Sequence, residues 1–142
     1  MTGFKRKVMR NVLTTAVAGV LGIAGTVGLG GSAHAAGSWV QVMTTDDRPG
    51  GLAQFAGFSA PEYLMVCDRQ GDNWAAFGKL WVRSGGKWVQ RKALRDGSHD
   101  GKCKRSNINV REGRKVKVKV CLMRGSGSNK VYRHCNQKTG RA

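Results

Sequence analysis

From Lys115 to Met123 the chain reads KVKVKVCLM, with an apolar residue at every second position until Cys121. A helix cannot gather that pattern onto one side. A strand does so because its successive side chains point to opposite faces. Val116, Val118, Val120 and Leu122 form one face; Lys115, Lys117, Lys119, Cys121 and Met123 form the other. A cysteine among lysines needs a partner within reach. The turn residues of RGSGSN follow, and KVYRHC returns as a second strand. Folded antiparallel, this hairpin sets Cys121 opposite Cys135 and Met123 opposite Arg133, reversing around Gly127, Ser128 and Asn129. Opposed Cα atoms in such a pair lie about 4.5–5.5 Å apart, within disulfide range. The expected bonds are Cys121–Cys135 and, from the remaining two cysteines, Cys67–Cys103. A zinc site would need close pairs such as C-x-x-C, and none occurs.

Paired cysteines in a short chain belong to an oxidising compartment, and the N-terminus agrees. Lys5, Arg6, Lys7 and Arg10 precede an apolar run from Val12 to Leu29, which ends at Ser32-Ala33-His34-Ala35-Ala36. This is the charged, apolar and small-residue order of a secretory signal peptide over residues 1–35, cut after Ala35. The run approaches the length of a membrane span, but its glycines and its cleavage pattern favour removal, leaving no span behind. Localisation is therefore expected to be secreted and extracellular. Cleavage removes four of the 25 Lys+Arg and none of the 8 Asp+Glu, so the product stays strongly basic. Once exported, such charge favours anionic envelope polymers, acidic proteins or free nucleic acid.

The rest of the chain continues in short strands. SWVQVM (38–43), LAQFAGF (52–58) and EYLMVCD (62–68) alternate or run apolar between turn signals. WAAFGKLWVRSGGKWVQRKAL reads as a hairpin around Ser84-Gly85-Gly86. In it Trp74, Ala76, Leu80 and Val82 share one side, with Phe77 and Trp81 on the other. RDGSHDGKCKRS reads as a polar loop, and NINV as a brief strand before the turn at Arg111-Glu112-Gly113. Short strands at this spacing predict an all-β fold, a small antiparallel β-sandwich or barrel.

Catalytic sets are scarce. Ser98, His99 and Asp100 are adjacent in sequence, which does not supply the geometry of a triad. His134 reads as structural, GSGSN lies in a turn rather than a nucleophile elbow, and DRQGD lacks most ligands of a calcium loop. The expectation is a non-enzymatic protein with no catalytic residues, no small-molecule substrate, no cofactor and no metal. One cluster stands out: Lys79, Trp81, Arg83, Lys87, Trp88, Arg91 and Lys92 gather around the predicted central hairpin. Basic residues interleaved with aromatics on a sheet can hold an anionic polymer, single-stranded nucleic acid included, by charge and stacking. The competing reading makes the tryptophans core and the lysines their border.

Val66-Cys67-Asp68, Asp72-Asn73-Trp74, Gly101-Lys102-Cys103, Asn107 to Gly113, Val120-Cys121-Leu122 and Cys135 together form a frame. It resembles the small secreted two-disulfide β-sandwich proteins of filamentous actinobacteria, including the adaptor subunits of umbrella toxin particles. The resemblance covers about residues 62 to 136 and departs from the frame at Asp72-Asn73 and in its basicity. It implies a Greek-key-like β-sandwich over residues 49–142, preceded by an extended segment over 36–48. It also implies a role joining a lectin subunit of trypsin-like fold to a large toxin subunit in a secreted antibacterial complex. The segment would insert into the lectin, with Gly37, Ser38, Trp39, Val40, Val42 and Met43 as the contact. The same residues can instead be the first strand of the domain itself.

Overall fold

A computed structural model describes residues 39–142. The expected signal peptide, and Gly37 and Ser38 of the expected docking segment, lie outside the described residues. Eight strands follow in order: β1 (Trp39–Met43), β2 (Gly51–Ala56), β3 (Tyr63–Asp68), β4 (Ala75–Ser84), β5 (Lys87–Asp96), β6 (Lys104–Asn107), β7 (Lys115–Arg124) and β8 (Val131–Arg141). They form two four-stranded sheets, ordered β1-β2-β3-β6 and β5-β4-β7-β8, in which every neighbour pair is antiparallel. The fold is the expected all-β sandwich, and the described residues contain no helix.

The period-two pattern explains the core. Val40 and Val42 of β1, Ala53 and Phe55 of β2, and Leu64 and Val66 of β3 turn inward from one sheet. Ala76, Leu80 and Val82 of β4 meet them with Val116, Val118 and Val120 of β7 from the other. Gly78 sits where the sheets come closest. A Cβ added there would lie 3.1 Å from Ala53 Cβ and closer still to the Val66 side chain, so only hydrogen fits.

Cys121–Cys135 joins the neighbouring strands β7 and β8, and Cys67–Cys103 ties β3 to the residue just before β6. Cys67–Cys103 closes 36 residues and Cys121–Cys135 closes 14, with Cα atoms 4.3 and 4.1 Å apart. Both pairings are those expected from the hairpin argument. In the chain-entropy account such closures stabilise by about 4 and about 3 kcal/mol.

Four sequence-based expectations are corrected. The division at residue 48/49 does not hold, because β1 pairs with β2 from Trp39↔Ala56 to Met43↔Leu52 and belongs to the sandwich. NINV is not the strand. Lys104–Asn107 pairs with β3 instead, carried there by the Cys67–Cys103 bond, and Val110 drops into the core. Met123 faces Tyr132 rather than Arg133, because the β7–β8 register shifts between Val120 and Leu122. His134 takes a positive φ of 50° in that irregularity, and its carbonyl accepts a hydrogen bond from Thr45 N–H. Finally, Cys121 and Met123 are buried rather than wet, although they share the lysine side of β7.

A candidate ligand-binding face

β4 and β7 are the two central strands of their sheet, and their register decides which side chains share its outer surface. Phe77 lies opposite Cys121, Lys79 opposite Lys119, and Trp81 opposite Lys117. On the other flank of β4, Arg83 lies opposite Trp88 of β5. β8 adds Tyr132, whose ring centroid is 5.6 Å from that of Phe77. Inward burial of Ala76, Leu80 and Val82 forces this arrangement, because alternate residues of a strand must point the opposite way.

The resulting surface interleaves cations with rings. Lys117 Nζ lies 5.0 Å from the Trp81 centroid and 4.8 Å from that of Trp88. Lys79 Nζ lies 5.4 Å from Phe77, and the Arg83 guanidinium 5.9 Å from Trp88. Contacts of this kind hold a cation over the negative face of a ring while leaving its other side to solvent. A depression of about 170 Å³ opens among Phe77, Trp81 and Tyr132, with Lys79 and Lys119 beside them and the Cys121–Cys135 bond at its base. Lys79 and Lys119 are direct cross-strand neighbours of like charge. Such a pair is unfavourable unless something negative lies between, and the only acid on the four strands of this sheet is Asp96, buried at the end of β5.

The seven residues of the predicted cluster are therefore divided. Lys79, Trp81, Arg83 and Trp88 share the outer face. Lys87 lies opposite Ser84 at the hairpin end, and Lys92 lies opposite the inward-facing Leu80. Arg91 falls in the β4–β5 irregularity and lines a separate depression with Val82, Val110 and Arg114. Phe77, Lys117, Lys119 and Tyr132 were missing from the cluster. The alternation of Lys117 and Lys119 marks them as solvent-facing, but nothing local in sequence says that β7 pairs with β4.

The expected docking segment is also divided. Val40 and Val42 are in the core, so their side chains are not open to a partner. Trp39 is 53% exposed and stacks on Phe58, itself 56% exposed, with centroids 5.6 Å apart and planes 12° apart. Met43 is half-buried and touches Arg69 through its sulfur.

Ser98, His99 and Asp100 do not form a triad. Ser98 Oγ lies 2.8 Å from Asp96 Oδ1 and 3.2 Å from Asp100 Oδ1, so its hydroxyl serves carboxylates. Asp96 also accepts from Asp68 N–H at 2.9 Å, tying the end of β3 to the end of β5. Burial, with Asp96 and Asp72 nearby, raises the Asp68 carboxyl above its ordinary range against the Gln70 N–H that favours its charge. Among the described residues no three His, Cys, Asp or Glu side chains come together as a metal site would require. Comparison with protein families, with curated proteins and with solved structures gives no match for this chain.

Proposed function

We propose that this is a secreted, non-enzymatic binding module that engages an anionic polymer through the outer face of β5-β4-β7-β8. One observation carries the reading: Lys79, Lys117 and Lys119 converge on four aromatic rings where the face offers no acid to neutralise them. Export is supported by the signal-like residues 1–35 and by two disulfides. The test is retention on immobilised polyphosphate as salt is raised. The wild-type protein is expected to bind and to elute with salt. The triple variant Lys79→Glu, Lys117→Glu, Lys119→Glu should pass through while melting as a folded protein. Equal retention of both proteins would sink this face as the site.

A second reading has its own observation. Trp39 and Phe58 form an exposed apolar stack at one end of the sandwich, and a buried aromatic anchor is what protein contacts concentrate on. It fits the adaptor role implied by the resemblance, with lectin and toxin subunits as partners, but with Trp39 rather than Val40 or Val42 in the contact. A tagged protein that brings such subunits from culture medium through high salt, and loses them on Trp39→Ala, would support it.

A further inference from the structure

Charge alone explains binding to any polyanion; it does not explain the rings. Phe77 and Trp81 are four residues apart on the same side of β4, about 13 Å along the strand. Lys79 stands midway between them, with Lys119 directly across. Along β4 the outer face thus reads ring, cation, ring, cation, from Phe77 through Lys79 and Trp81 to Arg83. Tyr132 extends the first ring position and Trp88 the last. Between the ring positions lies the depression walled by Phe77, Trp81 and Tyr132 and flanked by the two unneutralised lysines. Chains of uronates or of polyol phosphates carry negative charge but no flat π surface. Polyol phosphates would use the lysines and leave the ring walls without a partner, and uronates would meet those walls only through the C–H faces of puckered, non-aromatic rings. A single-stranded nucleic acid carries both features in alternation, an anionic phosphate and a planar base for each residue, and its unpaired bases are free to stack.

Resting on the reading of this face as a polyanion site, we propose that its ligand is single-stranded nucleic acid. One base enters the depression against Trp81 and the Phe77–Tyr132 pair. The adjoining phosphates lie between Lys79 and Lys119, and a further base stacks toward Trp88. A duplex, whose bases are stacked internally, offers this face phosphates only.

Fluorescence anisotropy with three probes tests the assignment: a labelled oligothymidine, an abasic oligodeoxynucleotide of equal length, and the oligothymidine annealed to its complement. Oligothymidine should bind at least about tenfold more tightly than the abasic strand, the scale of one stacked base. It should also quench tryptophan emission. Trp81→Leu and Tyr132→Leu should each remove most of that advantage, so that the ratio of oligothymidine to abasic affinity falls toward one. Tyr132 is 42% exposed, so its replacement keeps the test open should Trp81→Leu disturb folding. Equal affinity for oligothymidine and the abasic strand would overturn the nucleic-acid assignment and leave the polyanion reading standing. Binding to none of the three, nor to polyphosphate, would overturn both.

Discussion

Gly78 is the one inward position of β4 where no side chain fits, because Val66 and Ala53 from the opposing sheet occupy the space. Its neighbours Ala76 and Leu80 point the same way and are fully buried. Gly78→Ala adds a single methyl group to a place that cannot widen without parting the sheets. The expected cost is about 1–3 kcal/mol, the usual range for overpacking, seen as a lower urea midpoint with an unchanged slope. The sequence carries no sign of this. The glycine reads there as a mild strand weakener, and only the approach of β2 and β3 shows that it sets the spacing of the sandwich. Trp81 is a similar case. Its outward direction is readable from Leu80 and Val82 on either side, but its pairing with Lys117 depends on which strand lies alongside.

At the scale of the strand, β1 carries two roles on alternate residues. Val40 and Val42 close the core, whereas Trp39 projects outward onto Phe58. Val40→Ala and Val42→Ala are expected to cost about 2 kcal/mol each by thermal or urea melting. Trp39→Ala should leave the melting curve nearly unchanged. A large loss from Trp39→Ala would show that its stack on Phe58 is structural and would remove the support for a protein contact there. SWVQVM is legible as alternating, and that alternation is the strand's real structure. Whether the strand joins its own domain or a partner's is not legible, since both environments ask for the same pattern. β6 shows the opposite difficulty. Lys104–Asn107 has no apolar alternation and reads as loop, yet it lies at a sheet edge beside β3, where the Cys67–Cys103 bond holds it.

Over the whole molecule the charges are sorted. Four of the acids, Asp68, Asp72, Asp96 and Asp100, fall at the ends of β3 and β5 and in the loops beside them, while lysines fill the outer face of β4 and β7. Asp68, like Glu62, is an acid whose environment disfavours its charge, burial being the largest cause in both. A carboxyl raised in the folded state binds its proton more tightly there than in the unfolded chain. Its contribution is therefore most favourable below the ordinary carboxylate range and is lost as pH rises through the raised value. Asp68→Asn, which keeps an oxygen for the Gln70 N–H, should raise the melting temperature at neutral pH. The gain should fall away on acidification and vanish below about pH 3, where Asp68 is protonated in both states. A gain of equal size at both pH values would exclude the carboxyl's ionisation as its cause.

The opposite outer surface differs in kind. On β1, β2 and β3 it presents Trp39, Gln41, Met43, Leu52, Tyr63 and Met65, uncharged side chains between Arg69 and Arg105. The positive charge of the domain is thus unevenly spread, with Lys79, Lys117 and Lys119 together on the outer face of β4 and β7. Adsorbed on a negatively charged wall, the domain would lie in one orientation, lysines down. A closely spaced coat of such molecules would then present tryptophan, methionine and glutamine to the medium. The wall beneath would change from a surface that attracts cations to one of mostly uncharged side chains, with Arg69 and Arg105 as its charges.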